Sequence, residues 1–189
     1  MSQKALLIVD PQIDFIEGTL PVPGAVDAMN DLAKYVNEHG HEYPLIIVTA
    51  DHHPLHHCSF NTQGGPWAEH CIRNSVGAAF WPPLFQALHD YRGYVHTLYK
   101  GQSVHRDEYS VFKNPSVSVE IRAYIREMNI SKIDICGIAG DFCVSDTLLD
   151  AIRYFSPDMF NLLRRFTPSF DGGHHLDGVV SRYNISVTD

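Results

Sequence analysis

Three largely apolar runs in this chain each stop at a charged residue, and a fourth runs into a tight small-residue turn. Lys4–Val9 (KALLIV) ends at Asp10, Leu45–Ala50 (LIIVTA) at Asp51 and Val95–Tyr99 at Lys100. Ile133–Ile138 leads into Gly140-Asp141-Phe142-Cys143. A strand that is apolar at every position, rather than at alternate ones, is buried on both faces, so helices must cover both sides of its sheet. Helical spacing lies between the runs: Val26, Met29, Leu32, Ala33 and Val36 within Gly24–Gly40, then about Val117–Met128, and Val144 to about Tyr154. Met159–Leu163 reads as a fifth strand and Ile185–Val187 as a short last one, after a helix near 174–183. The pattern predicts an α/β fold, a doubly wound and mainly parallel six-stranded sheet with helices on both faces.

In such sheets ligands bind beyond the carboxyl ends of the strands. Asp10, Asp51, Lys100 and the Cys143 turn all stand at such ends, so two acids, a cation and a sulfur nucleophile should meet on one edge. With no repeat or linker in sight, residues 1–189 are expected to form one domain. Composition narrows the partners. The 14 Lys and Arg against 22 Asp and Glu, a net charge of −8, do not suit a nucleic-acid or anionic-membrane surface. No apolar run approaches a membrane span of ~20 residues, and MSQKALLIVD does not read as a signal peptide. Four irregularly placed cysteines do not form a disulfide framework, so a cytoplasmic location is expected.

The segment from about 51 to 83 has weak periodicity and holds many of the 12 histidines. A long irregular loop within a compact domain is usually functional. Asp51 and His53, two apart past a strand end, can face one ion; His57 can return across a turn begun at Pro54, and His70 can close the shell. One carboxylate and three imidazoles suit Zn²⁺ best, with Fe²⁺ or Mn²⁺ as alternatives. His52 and His56 read as bystanders. A structural Cys₂His₂ zinc site from His57-Cys58 and His70-Cys71 is the weaker alternative, because neighbours on an extended chain point apart. Solvated histidines with no ion are the plain reading. Cys136 lies inside a strand and reads as an inert thiol. Cys143 stands at a strand–turn–helix junction, where backbone N–H groups lower a thiol pKa and can hold an oxyanion; a packed core thiol is the alternative. Asp10, Asp14 and Lys100 each also have an ordinary reading as cap, turn or surface residue.

Four stretches, in order, resemble the isochorismatase-like cysteine hydrolases and, among them, the nicotinamidases. They are Val9-Asp10-Pro11-Gln12-Ile13-Asp14-Phe15 with Gly18, Leu20, Val22 and Gly24-Ala25; Asp51-x-His53-Pro54-x-x-His57-x-Ser59-Phe60 with Trp67-x-x-His70-Cys71; Lys100-Gly101 with Tyr109-Ser110-x-Phe112; and Gly137 to Val144. The resemblance implies an isochorismatase-like, Rossmann-like three-layer α/β/α fold. It implies a catalytic triad of Asp10, Lys100 and Cys143, and metal ligands Asp51, His53, His57 and His70. Phe15 and Trp67 match the aromatic walls about the substrate ring. Ile138–Ala139 matches the family's cis peptide, with the N–H groups of Ala139 and Cys143 toward the oxyanion.

The activity implied is deamidation of nicotinamide, and of pyrazinamide, through a thioester at Cys143, by a monomer or homo-oligomer. Another amide or carbamoyl hydrolase of the superfamily is an alternative, and a non-catalytic metal-binding or redox protein is one from a different class. Two departures stand out. Gly140 replaces a Thr or other small polar residue, and the tail beyond Tyr154 is only loosely similar.

Overall fold

The computed structural model describes residues 3–189; Met1 and Ser2, at the start of the expected domain, lie outside the described residues. The apolar runs form β1 (Gln3–Val9), β2 (Leu45–Asp51), β3 (Tyr94–Lys100), β4 (Ile130–Gly137), β5 (Phe160–Leu163) and β6 (Ser186–Thr188). They make one sheet in the order β3-β2-β1-β4-β5-β6, every neighbouring pair parallel. The chain thus runs outward from β1 to β3 and restarts at β4 on the other side of β1. That reversal leaves a crevice between the ends of β1 and β4, where ligands bind in open parallel sheets.

Short α1 (Ile13–Ile16) follows β1, and α2 (Ala25–His39) and α3 (Pro82–Asp90) cover one sheet face. The second face is covered by α4 (Pro115–Glu127), α5 (Ser145–Ala151) and α6 (His174–Tyr183). Leu6, Ile8, Ile46 and Val48 point into the first core, Leu7, Val9, Ile47 and Ile135 into the second, as the period of two along a strand requires. On α2 the buried stripe is Ala25, Met29, Leu32, Ala33 and Val36, whereas Val26 is exposed on the far side.

Three local readings differ. Helix α3 was not expected, although Pro82-Pro83 at its first turn and Leu84, Ala87 and Leu88 three and four apart form a short amphipathic unit. The fifth strand starts at Phe160, because Pro157–Met159 forms a 3₁₀ turn. The helix expected from Val144 begins instead as a π-helical turn over Gly140–Val144, in which Val144 N–H donates across five residues to Ala139 O at 3.1 Å. Among the described residues no helix is long and apolar enough to cross a membrane.

Candidate active site

The charged residues that close the apolar runs meet at the carboxyl edge of the sheet. Strands β2 and β3 pair Asp51 with Lys100 in register, and β1 and β4 bring Asp10 beside the turn that carries Cys143. Lys100 Nζ lies 2.6 Å from Asp51 Oδ1, 2.8 Å from Asp10 Oδ2 and 3.4 Å from Cys143 Sγ. Thr49 donates its hydroxyl to the other Asp10 oxygen at 2.7 Å, which fixes the carboxylate plane. All four groups are buried, and Lys100 is only 1% exposed. A charge so far from water is tolerated only when paired.

The electrostatics follow from that burial. Desolvation raises the Asp10 carboxyl, and Lys100 offsets this only in part. Asp51 is held below the usual carboxylate range, because Lys100, then His53, outweigh the burial that would raise it. Burial would also neutralise Lys100, but the two carboxylates overcome it and keep the ammonium charged. Burial pushes the Cys143 thiol up, with Lys100 pulling the other way. A proton between Cys143 and Asp10 therefore belongs to the group as a whole.

Beside this array stand the histidines. One ligand atom each from Asp51, His53 and His70 falls within 4.8 Å of the others, and all three residues are buried. His53 Nδ1 faces Gly101 O at 2.9 Å and His70 Nδ1 faces Ala68 O at 2.7 Å. Each contact places a proton on Nδ1, an arrangement common among metal-ligating histidines. His53 Nε2 faces Asp51 Oδ2 at 3.5 Å, and that carboxylate outweighs burial and raises the imidazole. A side chain at residue 101 would strike the His53 ring, and φ there is 64°, so Gly101 is required twice over. Asp51, held ionised beside Lys100, gives the histidines an anionic oxygen partner. The donor set fits a divalent cation.

His57 is the expected ligand that the structure does not bring into that cluster. It stacks on His53 with ring centroids 4.0 Å apart. Its Nδ1 accepts from Ser59 N at 3.3 Å and faces Ser59 Oγ at 2.7 Å, while Nε2 faces Arg106 O at 3.2 Å. Those partners place the proton on Nε2, opposite to its two neighbours. Among the described residues no candidate metal group includes Cys58 or Cys71, so the Cys₂His₂ arrangement is not assembled. Cys136 is buried in β4.

The pocket above Cys143 is walled by Phe15, Trp67, Tyr109, Phe142 and Phe170, with Asp51, His53 and His70 on one side. Trp67 Nε1 donates to Tyr109 Oη at 2.9 Å, which holds the indole upright. The Ile138–Ala139 peptide is cis. Sequence reasoning did not single out Phe142 or Phe170 as wall residues. It also missed the braces. Gln12, fully buried, donates to Asp51 O and Ala78 O and accepts from Asp51 N, tying the end of β2 to the loop. Asp14, read as a cap or surface acid, accepts from Cys71 N at 2.7 Å and pins the segment that carries His70.

Residues 4–154 match the Isochorismatase domain. The chain belongs to that family. A nicotinamidase of Escherichia coli is 31% identical over 174 residues, covering 81% of this chain and 78% of its own. Among solved structures, the pyrazinamidase of Pyrococcus horikoshii in complex with zinc is 30% identical with a TM-score of 0.83, covering 99% of both chains. PnC1 from L. infantum in complex with nicotinate is 28% identical with a TM-score of 0.85, covering 100% of this chain and 93% of its own. The family match ends at residue 154, whereas the structural likeness extends over the tail as well.

Proposed function

We propose that this chain is a metal-dependent cysteine amidohydrolase that converts nicotinamide to nicotinate and ammonia, with pyrazinamide as a second substrate. The observation that carries this reading is the buried Asp10–Lys100–Cys143 array opening into an aromatic pocket beside Asp51, His53 and His70. The nicotinamidase and pyrazinamidase relatives support the substrate class.

Asp10 takes the Cys143 proton; its raised carboxyl makes it a stronger base than an exposed aspartate. Lys100 faces the sulfur and offsets the negative charge that forms there. The thiolate adds to the amide carbon, and the backbone N–H groups of Ala139 and Cys143 receive the oxyanion. The C–N bond breaks as Asp10 returns the proton to the departing nitrogen, leaving a thioester and ammonia. Asp10 then takes a proton from water, whose oxygen adds to the thioester carbon; nicotinate leaves and the thiol is restored. Phe15 and Trp67 hold the ring between them. Asp51, His53 and His70 would hold the metal, zinc by preference, which when bound orients the ring through its nitrogen and withdraws electrons from it. A small-molecule enzyme of the cytoplasm suits the acidic surface and the four free cysteines.

The test is ammonia release from nicotinamide by the metal-loaded protein, wild type and Cys143→Ala. Turnover should fall by about 10³-fold or more in the variant, with metal content unchanged. No turnover by the wild type with Zn²⁺, Fe²⁺ or Mn²⁺ would refute the reading.

A further inference from the structure

The family model matches residues 4–154, and the tail beyond it returns to the pocket. After β5 the chain turns back so that Pro168 O accepts from Gly140 N–H at 2.8 Å, beside the π-helical turn that holds Cys143. Asp141, in the same turn, reaches across with both oxygens: Oδ1 accepts from Phe170 N and Oδ2 from Asp171 N, each at 3.1 Å. Asp171 in turn accepts from Gly173 N and His175 N and starts α6. The loop is therefore tied at both ends, to the nucleophile turn and to a helix.

Gly140 is what permits the approach. A Cβ there would collide with Ser169 Oγ and crowd Thr167 and Leu176. Close backbone approach is a common reason for glycine where its torsions do not demand it.

The clamp sets down one side chain at the mouth of the chamber. Phe170 lies nearly parallel to Trp67, centroids 6.3 Å apart at 24°, and edge-on to Phe142 at 6.1 Å and 78°. It lines the pocket while remaining 37% exposed, the position of a rim residue between chamber and solvent. A large apolar ring left half in water gains contact area when a flat ring enters beneath it.

We infer that Phe170, held over the pocket mouth by the Asp141 clamp and admitted by Gly140, is a specificity residue of this chain, closing the site around a single unsubstituted heteroaromatic ring. The inference rests on the amidohydrolase reading for its substrates, not for its geometry.

The experiment compares metal-loaded wild type, Phe170→Ala and Asp141→Ala. It measures kcat and KM for nicotinamide and 5-methylnicotinamide, and nicotinate binding by tryptophan fluorescence; circular dichroism and Tm verify folding. For Phe170→Ala, KM for nicotinamide should rise about fivefold, more than kcat changes. Preference for 5-methylnicotinamide over nicotinamide in kcat/KM should rise about tenfold, because the wall that excludes the methyl group is gone. Asp141→Ala, which keeps the phenyl ring and frees the loop, should move the preference the same way by a smaller factor. A Phe170→Ala protein that is folded and within twofold of wild type in both KM and preference overturns the inference. An Asp141→Ala protein that loses Tm while keeping wild-type preference overturns the clamp. If wild type hydrolyses neither amide, the amidohydrolase reading fails; weaker nicotinate binding by folded Phe170→Ala would still support the rim role, and unchanged binding would overturn it.

Discussion

Lys100 is the residue on which the chamber is balanced, since it neutralises one of two buried carboxylates and faces the thiol. The histidines divide by their hydrogen bonds. His53 and His70 give their Nδ1 protons to backbone carbonyls, and His53 Nε2 faces the Asp51 carboxylate at 3.5 Å, whereas both His57 nitrogens are engaged away from Asp51 by Ser59 and the Arg106 carbonyl. Removing His53 should therefore weaken Zn²⁺ binding by well over 100-fold. Removing His57 should cost about tenfold, the range of a residue that only supports a ligand. Chelator competition measures both; equal losses would show that His57 turns to join the shell. Burial keeps His70 and His57 below the ordinary histidine range, so both are neutral near pH 7.

At the scale of the elements, the strand ends would be loose without their braces. Gln12 makes two buried hydrogen bonds to the end of β2 and a partly buried one to the loop at Ala78, joining both to the first residues after β1. Gln12→Ala leaves Asp51 N–H and two carbonyls without that partner and should cost about 2–4 kcal/mol in urea unfolding, with weaker metal retention. The opposite edge of the sheet carries a pH-sensitive pair. Glu42, in the 3₁₀ turn Gly40–Glu42 after α2, accepts from Lys4 at 2.8 Å and faces His39 Nδ1 at 2.7 Å. Lys4 first, then His39, hold its pKa at about 2, below its ordinary 4.5. A carboxylate lowered on folding stabilises the native state above its unfolded pKa, and that stabilisation disappears as pH falls through the folded value. Wild type should therefore exceed Glu42→Gln in unfolding free energy near pH 5, the gap closing as pH falls between 4.5 and 2. The pair is solvent-exposed, so the gap should be under about 1 kcal/mol. A gap that widens on acidification would contradict the assignment.

Across the whole molecule, two cores of interlocked apolar side chains hold the sheet, one on each face. The chamber's loop is different. Between Asp51 and Trp81 it is tied by isolated bridges such as His53–Ile72 and Phe60–Trp67 rather than by a ladder. Binding a metal at Asp51, His53 and His70 should therefore slow amide hydrogen exchange in residues 52–80 by about tenfold or more and leave the central strands unchanged, because ligation stabilises only what opens without it. Equal protection with and without Zn²⁺ would mean that the loop is already rigid.

How much was legible in the amino acids alone depends on whether a feature is local. β1, β2 and most of β4 were readable because burial on both faces demands largely apolar runs, and the polar residues closing β1, β2 and β3 stood out against them; the edge strands β3 and β6 are partly or wholly exposed. So were Asp10, Lys100 and Cys143, each set beside a strand end by its own segment, while the resemblance supplied their roles. Three things were decided only by packing at a distance. The tautomer that withdraws His57 depends on Ser59 and on the Arg106 carbonyl, and the latter is 49 residues away. The braces at Gln12 and Asp14 reach 39 and 57 residues along the chain, and no periodicity announces a partner that far off. Phe170 reaches the pocket only because Asp141, 29 residues earlier, holds its backbone. Periodicity reports which face of an element is dry; it carries no information about which remote group will satisfy a buried donor, and that choice belongs to the folded chain.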